Sequence, residues 1–277
     1  MGVSLGEMLV KDGHEVWGIR RDPSGLPSEI QPISADLGRV DTLADIPERV
    51  DYAVYAAAPK LAGQTDARDA YRAIFIDGLG NFTRVLRELA ESPRRIFFTS
   101  STSVYHQHRG EWVDEDSPTH PVGFAGEILL LAERLVWASS FPGTVVRFGG
   151  IYGPGRTRLI DHVRSGEALL PTGGPRYTNR VHRDDAAGIL RHLIALDAEQ
   201  GALERLYLGV DCEPALEADV LVWLSERLGV GPPRDAAPSS PQPRRRAGSK
   251  RGRNTRLLES GYTFRYPTFR EGYASLL

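Results

Sequence analysis

Five consecutive hydroxyl residues, Thr99 to Ser103, form the group in this sequence best suited to binding chemistry. They directly follow the apolar run Ile96-Phe97-Phe98, and Tyr105 comes two residues after them. The apolar run predicts a strand buried on both faces. Hydroxyls at the end of such a strand need hydrogen-bond partners or water. Because ligands bind at the carboxyl ends of strands in open α/β sheets, the stretch predicts hydrogen-bonding groups that face a ligand.

Short apolar strands alternate with amphipathic helices over the first half of the chain. Strand patterns cover residues 14–19, 33–37, 51–59, 96–98 and 144–148, and helical spacing covers residues 5–10, 69–90 and 124–137. This alternation predicts an α/β fold with a doubly wound parallel sheet. In such a sheet, residues 99–105 lie at the ligand-binding edge.

The alternation becomes less regular after residue 155. Short helical patterns there are separated by isolated strand-like pieces, and residues 229–253 are rich in Pro, Ser and Arg. We predict a larger domain over residues 1–155 and a small C-terminal substrate lobe over residues 156–277. Residues 229–253 predict a mobile loop.

The composition argues against several classes of protein. The net charge of −2 gives no reason to expect nucleic acid or an anionic membrane as partner. No apolar run approaches the ~20 residues of a membrane span, and no signal-peptide pattern precedes the first helix. The single cysteine, Cys212, excludes an internal disulfide and a cysteine-based metal site. The sequence therefore predicts a cytoplasmic protein.

Five segments in order resemble the extended branch of the short-chain dehydrogenase/reductase superfamily, the NAD-dependent epimerase/dehydratase-like proteins. They are Gly13–Val16, Ala56–Pro59, Thr99–Tyr105, Arg147–Pro154 and Val181–Asp185. The resemblance covers nearly the whole chain. It implies a Rossmann-type fold, a dinucleotide-binding domain over residues 1–155, a small-molecule substrate, and a possible homodimer through helices that include the one from Phe124.

The front of the chain departs from the family pattern. The family's dinucleotide site begins with a buried strand and a Gly-x-Gly-x-x-Gly turn, followed by a helix whose amides hold the pyrophosphate. Aligned on the helix from Leu5, Gly2 takes the place of the third glycine. We expect the first strand and two glycines to lie upstream of Met1 in a longer reading frame, and two sheet strands to have unpaired edges here.

The acid/base pair also departs from the pattern. The superfamily carries Tyr-x-x-x-Lys on the helix after the hydroxyl strand, where the phenol exchanges a proton with substrate. Phe124 and Ile128 occupy the corresponding positions, and neither transfers a proton. The chain has only three lysines, and none has a tyrosine four residues before it. The active site implied by the resemblance is therefore non-standard.

Ser101 and Tyr105 are the candidate catalytic residues that remain. Ser101 lies four residues before Tyr105, where the family carries a serine or threonine that hydrogen-bonds the substrate carbonyl. Ser101 could instead cap strand-end backbone groups or contact only cofactor. Tyr105 could supply a phenol from a different position, or pack beside the site.

The resemblance also assigns cofactor-binding positions. Arg20 and Arg21 follow the second family strand, where arginine suits the 2′-phosphate of NADP and an acidic residue suits NAD. NADP is therefore the expected cofactor, with NAD possible; a solvated turn is the alternative for this arginine pair. The remaining implied positions are Gly2, Asp36, Leu37, Ala56, Ala57, Ala58, Ser100, Gly149 and Tyr152.

Other charged residues have more than one interpretation. Arg147 and Arg180 could grip an anionic substrate or form a salt-bridged framework, His182 suggests a structural role, and Asp184 or Asp185 could cap a helix. The His and Asp/Glu residues of the 106–120 loop fit no compact metal motif. The basic residues from Arg244 to Arg253 lack interleaved aromatic residues, which argues against a nucleic-acid site.

Two functions remain open from the sequence. The first is an NAD(P)-dependent oxidoreductase or epimerase acting on a small sugar-like or carbonyl substrate. The second is a non-catalytic NADP(H)-binding sensor or scaffold, which the missing Tyr/Lys pair favours.

Overall fold

The computed structural model describes residues 1–59, 66–172, 174–236 and 248–277. In this part of the chain the α-helices are α1 Gly2–Lys11, α2 Ala67–Arg72, α3 Leu79–Glu88, α4 Phe124–Trp137, α5 Arg158–Arg164, α6 Arg183–Ala198, α7 Glu217–Leu228, α8 Thr255–Glu259 and α9 Phe269–Ala274. A π-helical segment, Ala73–Gly78, joins α2 to α3, and 3₁₀ turns cover Val40–Leu43 and Thr102–Val104.

The strands of the described ranges are short. They are β1 Trp17–Arg20, β2 Gln31–Ser34, β3 Tyr52–Tyr55, β4 Arg95–Ser101, β5 Glu111–Val113, β6 Gly143–Phe148, β7 Gly150–Tyr152, β8 Leu169–Leu170, β9 Tyr177–Thr178, β10 Arg180–His182, β11 Leu206–Gly209, β12 Ala215–Leu216, β13 Arg234–Asp235 and β14 Lys250–Gly252.

The chain forms two compact units, and neither is continuous in sequence. Unit 1 contains residues 1–104, 120–147 and 187–207, and unit 2 contains residues 105–119, 148–186 and 208–277. The boundary predicted at residue 155 stays a prediction.

The main sheet has the strand order β11-β6-β4-β3. Strand β4 pairs in parallel with β3, with Phe98 opposite Tyr55. Ile96, Phe97 and Phe98 are all 0% exposed, which confirms the predicted doubly buried strand. Together with the helices that precede and follow β4, this confirms the predicted α/β class with a parallel sheet.

A second, two-stranded parallel sheet in unit 1 pairs β1 with β2. Strand β1 has only β2 as a neighbour, and β3 ends the main sheet, so each of these strands has one edge without a strand partner among the described residues. Unpaired edges on two strands were expected from the sequence.

The helix predicted over residues 69–90 is interrupted by the π-helical segment. At its end, a Cβ on Gly78 would lie 3.0 Å from the Tyr55 hydroxyl and 3.1 Å from Leu37 Cβ. Tyr55 donates a hydrogen bond to the carbonyl of Ile74 at 2.6 Å. The wider turn therefore brings the helix backbone close to the ends of two strand segments, a common use of π-bulges near functional sites.

Within the described residues, unit 2 contains four strand pairs and an apolar cluster to which three helices contribute. The pairs are β7–β10, β8–β13 and β5–β14, all parallel, and antiparallel β9–β12. Residues from α5, α7 and α9, including Ile160, Leu224 and Phe269, form the cluster. The prediction of a loop over residues 229–253 is wrong at both ends. Strand β13 pairs with β8 and strand β14 pairs with β5, and both partners lie far away in the sequence. Arg244, Arg245 and Arg246 lie outside the described residues.

Candidate functional site

The two serines at the end of β4 have different hydrogen-bonding roles. Ser100 is 6% exposed, and its hydroxyl donates to Glu133 Oε1 at 2.6 Å. Ser101 is half-buried, and its hydroxyl oxygen accepts from the backbone N–H of Ser103 at 3.1 Å. Among the described residues no acceptor is recorded for the Ser101 hydroxyl proton. Ser101 is therefore the serine able to donate to a ligand, whereas Ser100 is anchored inside the protein.

Glu133 and Arg147 form a buried ion pair behind this strand end. Arg147 Nη2 lies 2.7 Å from Glu133 Oε2, and Arg147 Nε donates to Glu133 Oε1 at 3.0 Å. The side chain of Glu133 is fully buried and that of Arg147 is 5% exposed. Of the two alternatives for Arg147, the geometry matches the salt-bridged framework, because a bidentate pair already satisfies the guanidinium.

The first turn of α4 carries apolar residues where the family carries its acid/base pair. Ile128 is 2% exposed and part of the core. The Phe124 ring packs edge-on against Tyr71, with ring centres 5.4 Å apart. The guanidinium of Arg68 lies over the same Phe124 ring at 5.5 Å. A phenol and a cation from α2 thus flank the position where the family tyrosine is expected.

Tyr71 is the candidate that the sequence analysis missed. It lies on α2, outside the Tyr-x-x-x-Lys pattern, and only tertiary packing brings it to Phe124. Its side chain is half-buried, and no protein hydrogen-bond partner of its phenol is recorded in the described ranges. The signal available in the sequence was helical spacing alone, which suggested that Tyr71 faces the core.

The N-terminal end of unit 1 has features that suit an anionic dinucleotide. Helix α1 has no acidic residue in its first turn, and no side chain of the described residues caps it, as suits a helix N-terminus that binds an anion. Gly2 is exposed, with open space where a Cβ would lie. Arg20 and Arg21 are exposed at the end of β1, and no carboxylate partner of either is recorded among the described residues. These residues fit a phosphate-bearing cofactor.

The other positions assigned to the cofactor in unit 1 follow the neighbouring strands. The Asp36 carboxylate accepts from the backbone N–H of Gly38 at 3.0 Å, which forms a tight turn after β2. Asn81 Nδ2 donates to the Leu37 carbonyl at 2.9 Å and ties this turn to α3. Ala56, Ala57 and Ala58 directly follow β3, and Ala58 is exposed. Small residues at the strand end leave the backbone accessible.

Tyr105 belongs to unit 2, where its hydroxyl and its backbone carbonyl both form hydrogen bonds within the protein. It is 3% exposed, and its hydroxyl donates to the Asp114 carbonyl at 2.7 Å. The buried Lys250 donates from Nζ to the Tyr105 carbonyl at 3.2 Å, and burial lowers the pKa of Lys250 to about 8. Of its two interpretations, this geometry matches packing beside the site.

Gly149 and Tyr152 also lie in unit 2. A Cβ on Gly149 would lie 2.8 Å from the carbonyl oxygen of Asn179, so this close approach of two backbones requires glycine. Tyr152 is 5% exposed, with its ring 4.2 Å from that of Tyr273 and 5.5 Å from that of His182. Its side chain contributes to the interior of unit 2.

A buried polar cluster surrounds Tyr152. Four of its atoms have no hydrogen-bond partner among the described residues: Tyr152 Oη, Arg180 Nη1, His182 Nε2 and Asp211 Oδ2. Burial raises the pKa of Asp211 to about 8, and the neighbouring Arg180 opposes that shift. Burial also lowers the pKa of His182. Because desolvation favours the neutral form of both groups, both are expected to be uncharged near neutral pH.

Asp185, at the start of α6, holds the C-terminal segment in place. It is 1% exposed. Its Oδ1 accepts from Tyr262 Oη at 2.9 Å and from Arg265 N at 2.8 Å, and its Oδ2 accepts from Tyr266 N at 3.0 Å. The role is structural and differs from the N-cap expected for this residue.

The described ranges contain neither a metal-binding cluster nor a membrane-spanning helix. No group of three or more His, Cys, Asp or Glu residues there is arranged to hold a metal ion. No helix in the same ranges is long and apolar enough to cross a membrane.

Comparison with known proteins places this geometry in context. The sequence model of the NAD dependent epimerase/dehydratase family matches residues 1–202. The chain is 30% identical over 238 residues to 3-diazoavenalumate denitrifying reductase from Streptomyces sp.. The aligned region covers 80% of this chain and 76% of that protein.

Solved structures resemble the whole chain. A protein from Methylobacillus flagellatus, assigned to the NAD-dependent epimerase/dehydratases, is 36% identical with a TM-score of 0.81, and the match covers 99% of this chain and 93% of that one. The human epimerase family protein SDR39U1, solved with NADPH, is 21% identical with a TM-score of 0.79, over 99% of this chain and 94% of that one. The latter shows a shared fold.

Proposed function

Because this chain belongs to the NAD dependent epimerase/dehydratase family, we propose that it binds NADP(H) and acts as a reductase or epimerase on a small carbonyl or sugar-like compound. The observation that carries this proposal is the arrangement at the end of β4. Ser100 is anchored to the buried Glu133, while Ser101 keeps a hydroxyl proton to donate. The half-exposed Ser101 hydroxyl, for which no acceptor is recorded among the described residues, is able to donate to a ligand.

Unit 1 supplies the groups that would hold the cofactor. The amides at the start of α1 would bind the pyrophosphate, and Arg20 and Arg21 would bind the 2′-phosphate that distinguishes NADP from NAD. When bound, the nicotinamide supplies or accepts a hydride. Arginine rather than an acidic residue at positions 20 and 21 supports NADP over NAD, because the ribose 2′-hydroxyl of NAD is usually held by an acidic residue.

Ser101 and Tyr71 have different roles toward the substrate in this proposal. Ser101 would donate a hydrogen bond to the substrate carbonyl oxygen and orient it. Tyr71 would exchange the proton with that oxygen, since its phenol lies beside the Phe124 ring at the family's tyrosine position. Arg68 lies over the same Phe124 ring and places a cation beside this position.

The relatives support a redox function. The Streptomyces protein, 30% identical over 80% of this chain, is a reductase. We infer that reduction is the better-supported activity of the two.

A second candidate function is a non-catalytic NADP(H)-binding sensor or scaffold. The burial of Ile128, where the family carries lysine, favours it, because the position offers neither charge nor access to a ligand. This candidate uses the same cofactor site as the proposed reductase or epimerase, and it differs from that enzyme only in having no turnover.

The exposed face of α4 supports the homodimer implied by the family. Leu131 and Leu135 are 43% and 39% exposed, and they lie four residues apart on one helix face. Sedimentation of the wild type and of Leu131→Glu tests this proposal: a dimer that the variant converts to a monomer supports it, and a monomeric wild type contradicts it.

Two measurements test the proposed function in sequence. Titration of NADPH and NADH into the full chain comes first, followed by a screen for NADPH oxidation with small aldehydes, ketones and nucleotide sugars. Binding with turnover supports the reductase, and binding without turnover supports the sensor. Failure of both nucleotides to bind contradicts both candidates.

A further inference from the structure

An exposed surface of unit 2 combines two arginines with two aromatic rings. The parallel pairing of β5 with β14 places Arg251 opposite Trp112, and the ring of Tyr177 of β9 also lies close to the Arg251 guanidinium. Trp112 is 47% exposed and Arg253 is also exposed. We call these four residues, Trp112, Tyr177, Arg251 and Arg253, the arginine–tryptophan surface. The basic residues from Arg244 to Arg253 have no aromatic residues between them in the sequence. In the structure, β5 and β9 bring Trp112 and Tyr177 to Arg251.

The guanidinium of Arg251 is held in a fixed position. Its carbon lies 4.8 Å from the Trp112 ring centre and 5.0 Å from that of Tyr177. Its Nε donates to the Gly110 carbonyl at 2.7 Å. Gly110 has a positive φ of 81°, and a Cβ there would lie 3.2 Å from the Tyr177 ring, so glycine keeps this packing possible. Two ring contacts and one hydrogen bond hold the guanidinium, and no partner of its two terminal nitrogens is recorded among the described residues.

Arg253 adds a second guanidinium beside the same indole. Its carbon lies 5.3 Å from the Trp112 ring centre. The nearby carboxylate of Asp114 is engaged by its own turn, accepting from Ser117 Oγ at 2.7 Å and from Asp116 N at 3.2 Å. No ion pair of Arg251 or Arg253 is recorded within the described ranges. Two cations therefore lie on one indole, and the Asp114 carboxylate acts through space as a counter-charge to Arg253.

A bound oxyanion would stabilise this arrangement. Two guanidiniums near one ring repel each other, and a bound oxyanion would remove that repulsion. A planar guanidinium presents two parallel N–H groups that match a carboxylate or a phosphate. Stacking on the rings has already restricted both side chains, so less rotamer entropy is lost on binding. The neighbouring Lys250 is 2% exposed and adds no surface charge to extend the patch toward a polymer.

We propose that the arginine–tryptophan surface is a binding site for an oxyanion, the carboxylate or phosphate group of a small ligand. The Arg251 guanidinium provides N–H donors in a fixed orientation, and the exposed Arg253 binds the same anion. The site lies in unit 2 and does not depend on the proposed dinucleotide site of unit 1, so its test needs neither cofactor nor turnover.

The experiment titrates the full-length protein with inorganic phosphate and, separately, with benzoate, at ionic strength held constant with sodium chloride. Binding is followed by NMR of the indole N–H signals, with Trp112 assigned from the Trp112→Phe variant. We expect saturable shifts of the Trp112 signal with at least one probe. Arg253→Gln should weaken binding about tenfold, because one charge-assisted contact is lost. Tighter binding of phosphate identifies a phosphate ester as the ligand class, and tighter binding of benzoate identifies a carboxylate.

Arg227→Gln is the matched control. Arg227 is exposed and lies 5.3 Å from the Trp223 ring centre, a single arginine on a tryptophan of the same unit. Its substitution should leave binding unchanged, and thermal melts should show that both variants remain folded. The proposal is overturned if neither probe gives saturable shifts at Trp112, or if Arg253→Gln and Arg227→Gln bind equally well.

Discussion

At the scale of single residues, the central finding is that a phenol absent from its usual sequence position is present nearby in space. Tyr71 packs on Phe124 from a different helix. We expect Tyr71→Phe to lower kcat for carbonyl reduction about 100-fold or more, the usual contribution of a positioned general acid. NADPH affinity should be unchanged, since the phenol does not hold the cofactor in the proposed function.

A rescue experiment separates chemistry from packing at this position. Adding Phe124→Tyr to the Tyr71→Phe variant returns a phenol to the family's own position, so part of the lost kcat should return. A Tyr71→Phe variant with wild-type kcat would contradict the assignment of Tyr71 as the proton donor.

Asp211 predicts a pH dependence of stability. Its carboxyl has a folded-state pKa raised to about 8 from an ordinary value of 3.8. Between these values the folded state binds more protons than the unfolded state, so this residue makes the free energy of unfolding fall as pH rises from about 4 to about 8. Asp211→Asn mimics the protonated form and should remove this contribution.

Urea unfolding of the wild type and of Asp211→Asn at pH 5 and pH 8 measures the effect. The variant should gain stability relative to the wild type at the higher pH. An equal difference between the two proteins at both pH values would show that Asp211 does not titrate in this range.

At the scale of secondary structure elements, the ion pair between α4 and β6 fixes the end of β4. Glu133 accepts from both Ser100 and Arg147, so it joins three elements of unit 1. Glu133→Gln leaves the buried Arg147 charge without its counter-charge, and removal of one partner of a buried pair costs about 3–5 kcal/mol. We therefore expect a large loss in the free energy of unfolding, measured by urea denaturation.

Two further variants distinguish a buried charge from a general packing defect. Glu127→Gln breaks an exposed pair with Arg68, in which both side chains are about half exposed, and should cost less than about 1 kcal/mol. The double variant Glu133→Met/Arg147→Met removes both charges and should recover much of the stability lost in Glu133→Gln. A double variant less stable than Glu133→Gln would argue against this explanation.

Some secondary structure elements could be predicted from the sequence and others could not. The apolar run at Ile96 was sufficient to predict β4, because a doubly buried strand has a continuous local pattern, whereas the ligand-facing role of the hydroxyls after it stays a prediction. Strands β13 and β14 contain two and three residues and depend on partners distant in the chain, so no local pattern reveals them. For the same reason the sequence left open whether Arg147 is framework or anchor, and it did not indicate Tyr71.

At the scale of the whole molecule, unit 1 contains the α1 amides and the two arginines proposed to hold the dinucleotide, and unit 2 contains the arginine–tryptophan surface. The first depends on a helix N-terminus and two exposed arginines, and the second on two stacked guanidiniums. Both are positive sites in a chain with a net charge of −2. Local charge placement, rather than net charge, therefore determines where anions are expected to bind.

The measurement that tests the central claim most directly is the affinity of the full chain for NADPH and for NADH, compared with that of the Arg20→Ser/Arg21→Ser variant. The wild type should bind NADPH more tightly than NADH. The variant should lose about tenfold or more in NADPH affinity, because the charge-assisted contacts to the 2′-phosphate are removed, while NADH affinity stays the same. Failure of the wild type to bind either nucleotide, or an equal loss for both nucleotides in the variant, would contradict the proposed NADP(H) site.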